Sequence, residues 1–540
     1  MNAHPAIPGP CVWLLSSPSA WDTWKRLAER IEAEKLFAMP LSDHPFSPWI
    51  SLTEGRAQGS RLADRLANGQ RGVLTLDDPL LPDPRGASEA VFQWLSEQAL
   101  EKNVILHILR PEHWHLDSID TFLYLARRLE TEHIAILADA TALMRAPLWR
   151  RVLETLKNEI GFSVESPQSH APDGPDPIDQ VQTDGSIKQF ASCGAHHAAR
   201  ALLEREDLLR ETWKIARFRA LLSLSAGDDA AVELATTRMS SLAPNSRVRA
   251  LSLRIRMLSM HRLGNVEGMV AAVEAARHCH ADPSIPRGWV CLDEALAHSL
   301  ISAPQSHIRW LDLLLSLPDA DVSLSCRATA FIWRAAAAYS RGEGTFAADA
   351  LSAALPILDQ LGEVTRATHV RLRLGLLLSA LDRSADGARM LRTAAASAIA
   401  LGDMNSAAVA ATEAACAAAT NGEPALMAQV AAFCGWKAEH VGAEIRAAKL
   451  HYQITAYAAL ASGRLDDVLD NASYLEKDAY DQPRLCFEAA ILRLLVASRQ
   501  RFPTKPYVHA VTSRSKMLGG EEQPLALIRL AHIQDYLKIH

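Results

Sequence analysis

The first residues whose types could do chemistry lie in the loop Ser16–Thr23, directly after the apolar run Val12–Leu15. A loop between a first strand and a helix is where many α/β proteins bind phosphate groups. Binding there needs glycines, which let backbone amides approach the phosphates, and a lysine that neutralises them. This loop contains no glycine, and Trp21 and Asp22 occupy the glycine and lysine positions. Only Thr23 keeps a metal-binding hydroxyl in register, so we predict that the loop does not bind nucleotide.

A second candidate is the acidic pair Asp77-Asp78, which follows the apolar run Val73–Leu76. Such a pair at the end of a buried strand is similar to the Walker-B carboxylates that hold magnesium in nucleotide-binding proteins. If a nucleotide bound through an atypical site, Thr23, Asp77 and Asp78 would be its cofactor-binding residues. Without the glycines and the lysine the site is incomplete. We therefore predict no cofactor and no catalytic residues.

A third candidate segment follows the run Val104–Leu109 and has the sequence His-Trp-His-Leu-Asp-Ser-Ile-Asp-Thr-Phe-Leu over residues 113–123. It resembles the segment after the Walker-B strand in the signal-transduction (STAND) NTPases of the MalT/LuxR-like regulators. In that family an Asp-Asp pair, a His-Trp, an Asp and a Ser-Leu precede a helix. Here Arg110-Pro111 replace the acidic pair, and the match needs a one-residue deletion. Whether Leu76-Asp78 or Leu109-Trp114 ends the Walker-B strand stays open.

This resemblance covers roughly residues 10–165 and the helical repeats that follow. It implies an ATPase-like switch module joined to a tetratricopeptide-type sensor array, often with a DNA-binding helix-turn-helix at the end. Residues 503–540 are interrupted by Pro503, Lys505-Pro506 and Gly519-Gly520 and hold few basic residues. We predict no helix-turn-helix there. The terminal helix Leu525–Ile539 is instead predicted to cap the last repeat, because the ends of a helical array need a polar outer face.

Two groups of residues could contact a protein partner. Trp21 and Trp24 flank the phosphate-type loop three residues apart and could be docking anchors, with core packing as the equal alternative. Arginines on the first helices of the repeats could bind an acidic peptide through paired hydrogen bonds. Solvated or neighbour-paired arginine is the alternative interpretation. The partner-binding candidates among them are Arg254, Arg256, Arg334, Arg371 and Arg373.

Histidine and cysteine residues cluster at three places, around His113–His115, at His278–His280 and at Cys193 with His196 and His197. Neighbouring side chains on a helix point in different directions, and no further ligand has the spacing that a closed metal site requires. We therefore predict no metal site. Hydrolase chemistry is equally unsupported, because the chain has no Gly-x-Ser-x-Gly motif.

Residues 1–165 alternate short apolar runs with amphipathic helical stretches, which predicts a mostly parallel sheet covered on both faces. The predicted strands are Val12–Leu15, Leu36–Leu41, Val73–Leu76, Val104–Leu109, His133–Ala138 and Phe162–Val164. The predicted helices are Ala20–Glu34, Arg56–Ala67, Ala87–Glu101, Ser118–Glu130 and Ala142–Glu159. The expected fold class of this domain is a degenerate, P-loop-NTPase-like α/β sheet. Residues 166–190 are rich in proline and aspartate and are predicted to be a solvated linker.

Residues 191–540 are predicted to form an all-α, tetratricopeptide-like helical-repeat domain with a period of about 40 residues. Gly362, Gly402 and Gly442 stand in register before the helical segments Glu363–Ala380, Asp403–Thr420 and Ala443–Ser462. Each glycine suits a left-handed helix end. Earlier helix pairs are predicted at Arg200–Leu242, Ser246–Cys279, Arg287–Leu317 and Leu324–Leu361. Alanine clusters within these helices allow close helix approach.

Composition limits the function classes further. The formal charge of −6 and the pI of about 6.4 do not favour nucleic-acid binding, which needs a basic face. No apolar run approaches the ~18 residues that would span a bilayer. Met1–Pro10 lacks the pattern of a secretory signal, and the 8 cysteines have no CxxC spacing. A cytoplasmic protein with buried, reduced cysteines is the expectation.

These features together predict a non-catalytic regulatory or assembly scaffold. It would bind protein partners, which include further copies of itself as one option, through the helical repeats and a pseudo-NTPase domain. The alternative is a nucleotide-dependent STAND-type switch, or a transcription regulator, with an atypical nucleotide site.

Overall fold

A computed structural model describes most of the chain in two compact units. The described segments are residues 12–15, 33–38, 44–52, 59–68, 83–111, 114–128, 134–139, 194–205, 212–300, 304–420, 462–477, 483–519 and 522–539, with isolated positions between 143 and 191 and between 452 and 460. Unit 1 is Met1–Cys326 with Asp359–Val364, and unit 2 is Arg327–Leu358 with Thr365–His540. The division falls within the helical repeats. The domain bounds expected near residues 165 and 191 stay predictions.

Unit 1 contains a parallel sheet with the strand order β1-β4-β3-β2. Its strands are β1 (Val12–Leu15), β2 (Glu34–Ala38), β3 (Val104–Ile108) and β4 (Ile134–Asp139). Leu106 of β3 lies opposite Leu36 of β2 and Ile136 of β4. All three side chains are buried, as expected for strands covered on both faces. The predicted α/β class and these four strands are confirmed. The predicted strands Val73–Leu76 and Phe162–Val164 lie outside the described residues.

Helices connect these strands, as parallel strands require. They are α1 (Ser47–Ser51), α2 (Gly59–Asn68), α3 (Arg85–Glu101) and α4 (Leu116–Arg128). The last three confirm predicted helices, whereas α1 was not predicted. Between α3 and α4 the buried hydroxyls of Ser88 and Thr121 lie 3.1 Å apart. The predicted helices Ala20–Glu34 and Ala142–Glu159 fall almost wholly outside the described residues.

The helical part of unit 1 follows the predicted pairs. Its helices are α5 (His196–Arg205), α6 (Trp213–Ala226), α7 (Asp229–Ser241), α8 (Ser246–Leu263), α9 (Val266–His280), α10 (Arg287–Leu300) and α11 (Pro304–Ser316). Helices α6 to α9 each begin after a polar residue whose side chain accepts a hydrogen bond from the third helical amide, which stabilises the helix start. These residues are Thr212, Asp228, Asn245 and Asn265.

The repeats continue as antiparallel helix pairs through the rest of the chain. They comprise α12 (Leu324–Ser340), α13 (Gly344–Leu361), α14 (Val364–Ala380), α15 (Ser384–Leu401), α16 (Met404–Thr420), α17 (Leu465–Glu476), α18 (Pro483–Arg499), α19 (Lys505–Ser515) and α20 (Glu522–Ile539). Gly362 and Gly402 have φ of 67° and 76°, which confirms the predicted left-handed helix ends. Gly442 lies outside the described residues. None of the helices in the described segments is long and apolar enough to cross a membrane.

Small residues bring the helices of unit 2 close together. A Cβ added to Gly375 of α14 would lie 2.6 Å from Leu391 Cγ of α15, too close for a side chain. On α16, Ala410, Ala411 and Ala414 are almost fully buried in one cluster with Leu391. Alanine and glycine therefore set the helix spacing, as the sequence predicts. The described cysteines Cys279, Cys291, Cys326, Cys416 and Cys486 are buried.

The C-terminal part of unit 2 differs from the sequence prediction in two ways. Pro506 does not break a helix, because it occupies the first turn of α19, where a missing amide hydrogen costs nothing. Helix α20 does more than cap the last repeat. Its Ile528 is buried in the cluster formed by α12, α13 and α14, whereas its Ala526 and Leu530 are buried with α18 and α19. Helix α20 therefore bridges the first and the last helices of unit 2.

The turn between the two helices of a pair contains a residue in the left-handed backbone conformation, and substitution there tests whether the repeat requires that conformation. Gly342, with φ of 77°, and Asp382, with φ of 60°, stand 40 residues apart at the same place in successive pairs. An added Cβ at Gly342 meets nothing within 4 Å, so Gly342→Ala introduces backbone strain alone. We expect a loss of about 1–2 kcal/mol in thermal unfolding, and a smaller loss for Gly342→Asp because aspartate tolerates this conformation.

The matched control is Gly519→Ala, where a Cβ also meets nothing within 4 Å but φ lies outside the left-handed region. This variant should leave the unfolding temperature unchanged or raise it slightly, because alanine restricts the unfolded chain. Equal losses at Gly342 and Gly519 would contradict the strain argument.

Candidate functional site

Several residues predicted to bind a nucleotide or a partner are not among the described residues. Trp21, Thr23 and Trp24 lie outside them, as do Asp77 and Asp78. Their predicted roles stay predictions.

The segment after β3 contributes to an aromatic cluster in unit 1. Trp114 is buried, and its ring meets those of Trp49 and Trp149 edge-on, with centroids 5.2 and 5.4 Å apart. Its indole N–H donates to the carbonyl of Leu109 at 3.0 Å, and that of Trp149 donates to the carbonyl of Pro111 at 2.8 Å. Trp114 of the His-Trp motif therefore fixes the chain at the end of β3 in the core of unit 1.

Asp117, the acidic residue of the same motif, binds the first turn of helix α5 through its side chain. Its two carboxylate oxygens accept hydrogen bonds from the backbone N–H groups of His197 and Ala198, at 3.2 and 3.0 Å. These amides belong to the first turn of α5, where backbone N–H groups have no carbonyl partner within the helix. The side chain of Asp117 is buried. Asp117 thus joins α4 to α5 and has a structural role.

The charges around Asp117 are coupled. Burial raises the pKa of Asp117 from 3.8 to about 6. Asp120, one turn further along α4, lies 3.3 Å from His197 Nε2 and 3.6 Å from Arg85 Nη1. Although burial favours the protonated acid, the hydrogen bond from His197 and the charge of Arg85 lower the pKa of Asp120. The same hydrogen bond raises the pKa of His197.

The junction between α4 and α5 should therefore respond to pH. The folded chain binds the proton of Asp117 more tightly than the unfolded chain, so this group makes unit 1 less stable as pH rises from about 4 to about 6. The full contribution is about 3 kcal/mol. We expect Asp117→Asn to remove this slope when the unfolding temperature is measured between pH 4 and 7. Asp64→Asn, at an exposed position on α2, should keep it.

The structure corrects the role predicted for Arg254. Its side chain is only 1% exposed, and its Nε donates to Asp293 Oδ1 at 2.7 Å. The guanidinium lies over the ring of Trp289, 4.3 Å from the centroid, and Asp293 also contacts His280 Nε2 at 3.1 Å. The prediction that Arg254 contacts a partner is wrong, because the helix buries this residue in the core between α8 and α10.

The other arginine candidates lie nearer the surface. Arg256 of α8 is 36% exposed and donates to Glu233 of α7 at 2.7 Å, as in the neighbour-paired alternative. In unit 2, Arg334 and Arg373 are exposed and Arg371 is half-buried. The structure brings these three to the successive first helices α12 and α14. Their predicted contact with a partner stays a prediction.

The histidine clusters have other partners. His280 Nε2 is paired with Asp293, and His278 Nδ1 lies 2.8 Å from the carbonyl oxygen of Glu274. His197 is paired with Asp120. Across the described segments, no three His, Cys, Asp or Glu side chains lie close enough together to hold a metal ion. His113 and Cys193 lie outside those segments.

A cavity of about 580 Å³ in unit 2 is lined by several paired charges. On one side, Arg529 of α20 donates to both oxygens of Glu488 of α18, at 2.8 and 3.0 Å. The hydroxyl of Tyr457 donates to Glu488 at 2.7 Å and itself accepts from Arg529. On the other side, Arg484 of α18 donates to Glu522 at 3.0 Å and also to Glu413 of α16.

Burial sets the charge states in this cavity. Although burial would raise it, the guanidiniums of Arg529 and Arg484 hold the pKa of Glu488 below its usual value. The charge of Glu413 raises the pKa of Arg484, despite burial. Burial also raises the pKa of the Cys416 thiol, which lines the cavity and is therefore an unreactive thiol at neutral pH. Glu488 and Glu413 are each paired with an arginine.

The apolar lining of the cavity comes from the same helices. Leu376 of α14, Ala417 of α16, Phe487 and Leu495 of α18, and Ile533 of α20 contribute to it. A concave, mostly apolar space with a few converging polar groups is the usual form of a small-molecule site. No motif in the sequence predicts this cavity. The available signals were the charged residues Glu488 and Arg529 within otherwise apolar helical stretches.

Comparison with known proteins finds similar solved structures at low sequence identity. No protein-family model matches the chain, and no curated protein matches it. Similar solved structures include the apo form of RapI, with 10% identity, 55% of this chain and 84% of that chain covered, and a TM-score of 0.40. A Rap protein complexed with competence and sporulation factor has 14% identity over 66% of this chain and 96% of that chain, with a TM-score of 0.34.

A third similar structure is the STAND protein with a tetratricopeptide repeat sensor, PH0952, from Pyrococcus horikoshii. It shares 11% identity, with 95% of this chain and 93% of that chain covered, at a TM-score of 0.33. The finer resemblance to the MalT/LuxR type stays a prediction. The helical-repeat class itself follows from the helix pairs of this chain.

Proposed function

We propose that this chain is a non-catalytic regulatory or assembly protein that binds protein partners through its helical repeats. The observation that carries the proposal is the seating of α20. Its apolar residues Ile528 and Leu530 are buried against helices from opposite ends of unit 2, and Arg529 between them pairs with Glu488. The repeat array thus already holds one helix by apolar contacts and one charged pair, which is a common way for helical repeats to bind partner helices.

Support for a non-catalytic α/β domain comes from the motif after β3. Trp114 and Asp117, which belong to the segment that resembles the STAND motif after the Walker-B strand, are both buried and hydrogen-bonded to backbone groups of unit 1. Asp117 is 5% exposed, and both of its oxygens already bind amides of α5, which supports a structural role for this carboxylate. In the sequence, the loop Ser16–Thr23 also lacks the glycines and the lysine of a phosphate site. We infer that the domain has become a pseudo-NTPase with a structural role.

Equilibrium binding of fluorescent ATP to the full chain, with and without magnesium, tests the non-catalytic assignment. We expect no binding at micromolar concentrations. Micromolar affinity that is abolished by Asp77→Ala, and not by Asp64→Ala on α2, would support the nucleotide-dependent switch instead. That outcome would leave the partner-binding role of the repeats untouched, because it concerns unit 1 only.

Binding of a partner with an acidic surface should depend on Arg334, Arg371 and Arg373 of unit 2. We expect the full chain carrying Arg334→Glu, Arg371→Glu and Arg373→Glu to lose such a partner in affinity capture from native extract, followed by a purified binding assay. Arg389→Glu on α15, at a side chain that is 73% exposed, is the control for added charge and should keep the partner. Equal binding by both variants would exclude these three arginines from the interface.

A further inference from the structure

The cavity of unit 2 extends along helix α18. Its lining includes Arg484 near the start of that helix and Arg499 at its end, fifteen residues later. At about 1.5 Å per helical residue the two positions are about 22 Å apart. The volume of about 580 Å³ lies in the usual range for sites that bind small organic molecules. The space is therefore elongated and large enough for a ligand with an extended body.

Part of the lining of this space is apolar. Cys416 and Ala417 line it from α16, Phe487 and Leu495 from α18, and Leu525 and Ile533 from α20. An apolar chain that entered from water would gain roughly 25 cal/mol for each Å² that it buried against these residues. The walls thus favour a hydrocarbon body between the charged ends.

The charged side chains that line the space are four arginines, four carboxylates and His532, and two of the arginines are more exposed than a glutamate with which they pair. The Arg484 side chain is 32% exposed, whereas that of Glu413, its buried partner, is 13% exposed. Arg529 is 22% exposed, and Glu488 behind it is 5% exposed. The described bonds of Arg484 use only two of the five N–H donors of a guanidinium. Asp382 and Glu522, the acidic residues of the lining that are well exposed, lie in the loop after α14 and at the start of α20.

From these features we infer that the cavity binds an organic acid with an elongated apolar body, whose carboxylate pairs with Arg484. Planar bidentate pairing with a carboxylate is the strongest hydrogen-bonding arrangement of arginine. A cationic head group could reach Glu413 or Glu488 only by breaking their ion pairs with Arg484 and Arg529, and Glu522 only by competing with Arg484, which leaves Asp382 as its alternative site. A free fatty acid and the C-terminus of an apolar peptide supply the same chemistry. This site is independent of the protein partner proposed above.

Isothermal titration of the full chain with decanoate, decanamide and decylamine separates the head groups at constant chain length. We expect decanoate to bind at least about tenfold more tightly than decanamide, because hydrogen bonds between charged groups are stronger than neutral ones. Decylamine should bind most weakly. In the Arg484→Gln variant, decanoate and decanamide should bind with similar affinity.

The matched control is Arg493→Gln on the same helix. Arg493 is 30% exposed and pairs with Glu476 at 2.6 Å, as Arg484 pairs with its glutamates, but it does not line the cavity. The preference for decanoate should survive in this variant. A second variant, Ser498→Trp, places a large side chain in the lining and should abolish binding of both decanoate and decanamide without removing a charge.

An apolar hexapeptide with a free C-terminus, titrated beside its amidated form, distinguishes the two sources of the carboxylate. Tighter binding of the peptide than of decanoate, with loss on amidation, assigns the site to peptide ends, and the reverse order assigns it to fatty acids. Equal affinities for decanoate and decanamide, loss of the preference in Arg493→Gln, or no decanoate binding at millimolar concentration would each overturn the inference. Circular dichroism of every variant establishes that it is folded.

Discussion

Arg529→Met is expected to destabilise unit 2 by about 3–5 kcal/mol, because it leaves a buried carboxylate without its partner. Glu488 is 5% exposed, and Arg529 donates to both of its oxygens. In the variant only the hydroxyl of Tyr457, at 2.7 Å, and the more distant charge of Arg484 would remain. The free energy of unfolding, measured by urea denaturation of the full chain with a probe in unit 2, gives the loss.

The double variant Arg529→Met with Glu488→Leu separates the stranded charge from lost packing. Replacement of both members of a buried pair by apolar residues is often close to neutral. We therefore expect the double variant to recover most of the loss, and a double variant as unstable as Arg529→Met would contradict the explanation. Arg389→Met is the control. Arg389 is 73% exposed and pairs with Asp386 on the same helix, so its replacement should change the free energy of unfolding by less than about 1 kcal/mol.

Acidic pH provides a second readout of the same pair. The pKa of Glu488 lies below its usual value of 4.5 in the folded chain, so the ionised group favours the folded state above that pH. Its contribution is lost as pH falls through the lowered pKa. The wild type should consequently lose stability below about pH 4.5 more steeply than the double variant, which has no carboxylate at this position.

The features that the sequence predicts well are those that local chemistry determines. Gly362 and Gly402 mark left-handed helix ends because only a residue without a Cβ adopts that conformation at low cost, and both have positive φ. The apolar runs Val104–Leu109 and His133–Ala138 are strands because a sheet covered on two faces needs continuous hydrophobic residues. Thr212, Asp228, Asn245 and Asn265 precede helices because their short polar side chains bond to free amides.

The features that the sequence does not predict depend on contacts between distant residues. Arg254 has the spacing of a surface arginine, and its burial follows from Asp293, which is 39 residues away. The cavity depends on pairs such as Arg529 with Glu488, which are 41 residues apart. Helical periodicity gives the face of a residue within one helix but not the helix that packs on that face. For the same reason, the bridging position of α20 was not distinguishable from that of a terminal cap.

The second large effect is expected at the buried pair between Arg254 and Asp293 in unit 1. Both side chains are 1% exposed. Removal of either partner should cost about 3–5 kcal/mol, but the two losses should differ. In Arg254→Met, Asp293 keeps a contact with His280 Nε2 at 3.1 Å. In Asp293→Leu, Arg254 keeps no hydrogen bond to a charged side chain among the described residues, because its Nη1 and Nη2 atoms already lack hydrogen-bond partners there.

Asp293→Leu should therefore be the more destabilising of the two, since a buried guanidinium without a carboxylate has only the ring of Trp289 to stabilise its charge. A thermodynamic cycle of both single variants and the double variant Arg254→Met with Asp293→Leu measures the coupling free energy. Arg256→Met is the matched control, because Arg256 lies on the same helix as Arg254. Arg256 is 36% exposed and pairs with the half-exposed Glu233, so this variant should lose less than about 1 kcal/mol of unfolding free energy. If Arg254→Met cost no more than Arg256→Met, the pair would not stabilise unit 1, and Arg254 would be held in place by packing against Trp289 alone.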